Sequence, residues 1–218
     1  MLSLTAADGH QFSAFEAGNV NAARGLVVVQ EIFGVNGHMR AVSERLAGFG
    51  YRVLSPALFD RAEKGVELGY TAEDAQKGMG LMRQIAEADV LADIEAAAAA
   101  FGDKPVGIIG YCWGGAVSWL GASKSSSFKA AVGWYGGGIA ASKDAALNCP
   151  VQLHFGGADT HIPMSDVEAI EKAHPEVPVF VYEGAQHGFG CEERPSYSAK
   201  DCELAELRSL AFFAEHLR

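Results

Sequence analysis

The sequence lacks an apolar run long enough to span a bilayer, a block of basic residues, an internal repeat and a low-complexity linker. The first absence excludes a transmembrane helix. The second argues against nucleic acid and anionic membranes as partners: 17 Lys and Arg face 27 Asp and Glu, a formal charge of −10. The opening MLSLTAADGHQF carries neither a basic stretch nor an apolar core, so no secretory signal is expected and a cytoplasmic location is the default. Cysteine is scarce as well. Cys112, Cys149, Cys191 and Cys202 fit neither a zinc-finger spacing nor Cys-x-x-Cys, and in a reducing compartment all four stay thiols. No metal or organic cofactor is expected.

What remains is an ordinary globular composition, 49% hydrophobic and 20% charged. A chain of 218 residues suits one domain spanning 1–218, with a core that needs no disulfide. Short apolar runs alternate with amphipathic stretches. Strands are expected at 25–30, 51–56, 106–110, 130–135, 151–155 and 179–182. Helices are expected at 36–49, 81–101, 114–123 and 204–217. In the first helix Met39, Val42, Leu46 and Phe49 form one apolar stripe. This is an α/β pattern: a mostly parallel central sheet with helices on both faces. Residues 57–78 resist assignment, and a substrate lid and a solvated connection are equally open readings.

The run Gly110-Tyr111-Cys112-Trp113-Gly114 is G-x-C-x-G, the cysteine form of a nucleophile elbow. The chain must leave a strand, turn sharply and enter a helix, so small residues two before and two after the nucleophile let strand and helix approach. The thiol then sits at a helix N-terminus, which favours thiolate. The bland alternative is a small buried core cysteine. Elbow hydrolases place their acid and histidine later in the chain, in that order. Asp159 follows the strand at 151–155, and His187 follows the strand at 179–182. His187 would share the proton of Cys112, and Asp159 would orient His187. Among the other histidines, His154 reads as packed core, and His161 and His174 as surface. Glu31 ends the first apolar strand, where such hydrolases supply an oxyanion donor. Burial there would raise its pKa, and an ordinary turn carboxylate is an equal reading.

Four blocks together resemble the dienelactone hydrolase family, a cysteine branch of the α/β-hydrolases: Gln30-Glu31-Ile32-Phe33-Gly34-Val35-Asn36, Gly110 to Gly115, Gly156-Gly157-Ala158-Asp159 and His187-Gly188-Phe189. The resemblance runs from Asp8-Gly9-His10 to the final helix. It implies a triad of Cys112, His187 and Asp159, with Glu31 sharing a proton with the resting thiol. It also implies an oxyanion hole made by the Ile32 and Trp113 N–H groups. The family's named reaction opens dienelactone to maleylacetate. Two arginines of the family pattern have no clear counterpart here, because Gly190-Cys191 stands where one should lie. Arg83 and Arg194 are the substitutes, or else solvated surface residues. Phe33, Trp113 and Tyr135 are pocket walls or core. The expected partner is therefore a small ester or lactone, and the protein a monomer or small homo-oligomer. The competing readings are a thiol redox sensor using Cys112 and a non-catalytic binding module.

Overall fold

The computed structural model covers residues 1–218. The chain opens with two strands that the sequence reading passed over, β1 (Leu2–Thr5) and β2 (Gln11–Ala17). Their apolar and polar residues alternate, as a half-buried edge requires, but the runs are short and the signal is weak. Then come the fully buried strands β3 (Gly25–Val29), β4 (Arg52–Pro56), β5 (Val106–Tyr111), β6 (Ala130–Trp134) and β7 (Val151–Gly156), with β8 (Val179–Tyr182) at the far edge. The sheet has eight strands in the order β1-β2-β4-β3-β5-β6-β7-β8. Only the pairs made by β2 are antiparallel; from β4 to β8 every pair is parallel. This is the mostly parallel sheet of an α/β-hydrolase.

Six α-helices accompany the sheet: α1 (Gly37–Gly48), α2 (Ala72–Met82), α3 (Glu87–Ala99), α4 (Trp113–Lys124), α5 (Met164–Ala173) and α6 (Ala199–His216). Side chains of a strand alternate between its faces. On β5, Gly107 leaves room for Phe213 of α6, and Gly110 leaves room for α4. Positions an odd number apart thus receive helices from opposite sides. Arg45 of α1 donates to Glu206 of α6 at 2.6 Å, so α1 joins α6 on one face. Helix α3 packs with α4 on the other. Phe213 is wholly buried, worth about 1.5–3 kcal/mol relative to exposure.

The expected helix 81–101 is two helices. Residues 83–86 form a turn, and Ala86 is extended (φ −73°, ψ 149°) before α3 begins. The break lets two apolar stripes face different targets. Helix α3 packs on the sheet, whereas Gly78 of α2 lies against the carbonyl of Ile32. The unassigned stretch 57–78 is therefore not a plain loop: it holds a 3-10 turn at Leu58–Arg61 and the first half of α2. Helix α6 starts five residues before the expected 204, and α5 was not expected at all. No helix is long and apolar enough to cross a membrane.

Candidate active site

Cys112 joins β5 directly to α4 with φ 55° and ψ −116°, backbone angles that cost a residue with a Cβ on the order of 1–3 kcal/mol. The neighbouring glycines make the turn possible. A Cβ on Gly110 would fall on the Gly114 carbonyl, and one on Gly114 would fall on the Val29 carbonyl. The Cys112 N–H is held by the Trp134 carbonyl at 3.0 Å. Its Sγ is left at the mouth of α4, where the helix dipole favours negative charge.

Two later strand ends bring the partners. Sγ of Cys112 lies 3.2 Å from Nε2 of His187, and Nδ1 of His187 lies 2.8 Å from Oδ2 of Asp159. Asp159 is fixed in turn: its Oδ1 accepts the amides of His161 at 2.7 Å and Ile162 at 3.2 Å. Burial opposes a charged Asp159, but these hydrogen bonds outweigh it and hold the carboxyl below its usual range. Burial likewise disfavours the imidazolium of His187, yet bonding to Asp159 and Cys112 prevails and raises its pKa to about 10. His161 is exposed, as expected, although its ring stands 5.0 Å from that of His187. His154 is fully buried on β7. His174 departs from the expected surface position: its side chain is only 12% exposed, because both ring nitrogens are engaged, by Glu176 at 2.8 Å and the Lys143 carbonyl at 2.6 Å.

Glu31 is wholly buried in the loop after β3. Burial pushes its carboxyl up, against the partial relief given by Arg194 and Tyr70. Oε2 accepts the Tyr70 hydroxyl at 3.0 Å, whereas Oε1 has no hydrogen-bond partner. Neither oxygen is bonded to Cys112. Residues 57–82 clasp this loop. Leu68 donates to the Phe33 carbonyl at 2.9 Å, Asn36 donates to Leu68 at 3.0 Å, and Gly34 bridges Glu67. Tyr70 had no signal in the sequence; it lay in the segment that resisted assignment. The N–H of Ile32 donates to no protein acceptor. That of Trp113, at the first position of α4, has no intrahelical acceptor.

The remaining candidates divide. Arg194 stands 3.7 Å from Oε1 of Glu31 and 5.9 Å from the Phe33 ring. With Tyr70, His161 and His187 it lines a cavity of about 270 Å³. Arg83 is exposed at the end of α2, its side chain has no partner, and it does not line that cavity. Tyr135 is wholly buried at φ 38° and packs edge-on against His187 at 5.3 Å. Phe33 is buried against Tyr70 at 4.5 Å. Trp113 stacks on Phe59 at 5.5 Å and lines a second cavity of about 380 Å³ between α3 and α4.

A profile of the dienelactone hydrolase family matches residues 12–217. The chain belongs to that family. A carboxymethylenebutenolidase of Pseudomonas putida is 33% identical over 225 residues, covering 98% of this chain and 95% of that protein. A Synechocystis sp. protein provisionally given the same name is 40% identical over 195 residues, 80% of this chain and 79% of that one. The crystal structure of a provisionally named dienelactone hydrolase from Klebsiella pneumoniae superposes with a TM-score of 0.84 at 30% identity, covering 98% of both chains. This dienelactone hydrolase family member is thus a hydrolase of the ester and lactone class.

Proposed function

We propose that the protein hydrolyses a small carboxylic ester or lactone through an acyl-thioester on Cys112. The observation that carries the proposal is the unbroken relay from Sγ of Cys112 through His187 to Oδ2 of Asp159, at 3.2 and 2.8 Å. His187 and the α4 dipole favour the thiolate, which attacks the substrate carbonyl. The oxyanion receives the free N–H groups of Ile32 and Trp113. As the intermediate collapses, His187 gives its proton to the leaving oxygen; in a lactone that alcohol stays tethered to the acyl group. His187 then takes a proton from water, the hydroxide attacks the thioester, and the second collapse frees the acid and the thiolate. Asp159 holds the imidazole in the tautomer that both steps need.

Glu31 takes the proton of a resting Cys112 thiol, a role suited to a buried carboxylate with one oxygen free of hydrogen bonds. Arg194 meets a carboxylate on the substrate, since it is the cation lining the cavity beside His187. Four free thiols fit a reducing compartment such as the cytoplasm.

The test is turnover of an activated small ester by the parent and by Cys112→Ala. The expected loss is at least about a thousandfold; equal rates contradict the proposal. Thiol alkylation checks Glu31: Glu31→Gln should change the rate and pH profile of Cys112 modification, and an unchanged profile removes Glu31 from the mechanism.

A further inference from the structure

Beside Glu31 lie two buried donors, His38 and Cys191, that the hydrolytic scheme leaves unused. A carboxylate oxygen of Glu31, a ring nitrogen of His38 and Sγ of Cys191 lie within 4.8 Å of one another, and all three residues are buried. The surrounding hydrogen bonds leave two of the polar atoms in these residues unsatisfied. Oε1 of Glu31 and Nε2 of His38 are each buried without a hydrogen-bond partner, although Arg194 stands 3.7 Å from the former. Glu31 is 0% and His38 4% exposed, so water does not compensate either atom from bulk. A buried polar atom left without a hydrogen bond is costly, and two in one cluster with a thiol call for a common ligand.

We propose that Glu31, His38 and Cys191 form a binding site for a borderline divalent cation of the zinc class, and that the bound ion switches hydrolysis off by taking Glu31 out of its proton-transfer role. The second half rests on the function proposed for Glu31 above; the first rests on the geometry alone. The donor set is one thiolate, one imidazole and one carboxylate, which suits zinc and disfavours calcium or magnesium. Tetrahedral bonds of about 2.0–2.3 Å need ligand atoms about 3.5 Å apart, so separations of up to 4.8 Å must close by up to about 1.3 Å. His38 is ready to coordinate: burial, with help from Arg45 and Arg194, lowers its pKa to about 4 and keeps the ring neutral. Cys191 is protonated at rest, since burial and the Glu31 charge push its thiol up to about 12. Its proton leaves to solvent as the metal–sulfur bond forms. Tyr70, donating to Oε2 at 3.0 Å, orients the carboxylate so that Oε1 is the atom left for the ion. Arg194, 3.7 Å from Oε1, must yield to the cation, and it lines the cavity through which the ion enters. The cluster escapes any reading of cysteine spacing because its ligands come from the loop after β3, the first turn of α1 and the loop after β8.

The test uses Co²⁺ as a spectroscopic probe and Zn²⁺ as inhibitor, on the full chain. In Cys112→Ala, which removes the competing thiol, Co²⁺ should give a thiolate-to-metal charge-transfer band. Adding Cys191→Ser should abolish that band and weaken Zn²⁺ binding at least about 100-fold. No band in Cys112→Ala, or a band that survives Cys191→Ser, overturns the site. The first of these readouts needs no change at Cys191, so it holds even where that variant misfolds. With Cys112 intact, Cys191→Ser should keep ester turnover and raise the Zn²⁺ concentration for half inhibition at least about tenfold. A charge-transfer band together with turnover that Zn²⁺ leaves untouched keeps the site and overturns the role of Glu31. Asp159, His161 and His187 form a second donor cluster; Sγ of Cys112 lies 3.2 Å from Nε2 of its His187, so that cluster lacks a thiol only in Cys112→Ala, and in the inhibition arm it is common to the two proteins compared.

Discussion

His154 and His187 lie on the last two parallel strands and their trailing loop, both largely out of solvent, both bonded through both ring nitrogens. His154 touches only neutral groups: Tyr182 at 2.8 Å, Gln152 at 2.9 Å and Ser209 at 3.2 Å. Burial then lowers its pKa to about 3. His187 touches a carboxylate on one side and the Cys112 sulfur on the other, and it moves the opposite way, to about 10. Burial alone does not decide what a histidine does. A carboxylate at one nitrogen and a sulfur at the other suit a histidine to proton transfer, and neutral partners suit it to packing. The positions differ in the same sense. His154 is inside β7, with no room for substrate, and His187 is on a loop past the strand ends, beside a cavity.

The comparison predicts that the two histidines fail differently. The largest effect falls on His187→Gln, which should lower kcat/KM for an activated ester by about 10⁴-fold while the fold persists. Asp159→Asn should follow at about 10³-fold, since the imidazole loses its orienting charge; circular dichroism and steady-state kinetics check both. His154→Gln should leave kcat/KM of the folded protein close to the parent value and cost about 2 kcal/mol in urea unfolding. An activity loss at His154 as large as that at His187 breaks the distinction. The smallest effect is a pH slope. His154 has its folded pKa depressed below the ordinary 6.5, so its contribution is fully present above pH 6.5 and is lost as pH falls toward about 3. His38, depressed to about 4, acts with the same sign. Each adds at most about 1.4 kcal/mol of lost stability per pH unit in that window. Urea midpoints at pH 7.5 and 5.5 should therefore diverge more in the parent than in His154→Gln.

The same contrast explains what the sequence displays. Cys112, Asp159 and His187 are legible because each sits in a short local pattern of apolar strand, glycine turn and polar residue, and the order of such patterns along the chain carries information. The buried strands β3 to β7 are legible for the same reason. The clasp on the loop after β3 is not. Tyr70 reaches Glu31 across 39 positions, from a stretch whose periodicity is interrupted by Gly65 and Gly69. The turn between α2 and α3 is equally hidden: helical propensity runs through it, and only tertiary packing of Gly78 on the Ile32 carbonyl requires two helix directions. His174 reads as surface because the Lys143 carbonyl, 31 positions away, becomes its partner only when the fold closes.

The central claim is that Cys112 carries the acyl group. Mass spectrometry of the protein quenched in acid during turnover of an activated ester tests it directly. One acyl group is expected on the peptide containing Cys112 in the parent, and none in Cys112→Ala. Undiminished turnover in Cys112→Ala, or an acyl group found on another residue of a turning-over enzyme, contradicts it.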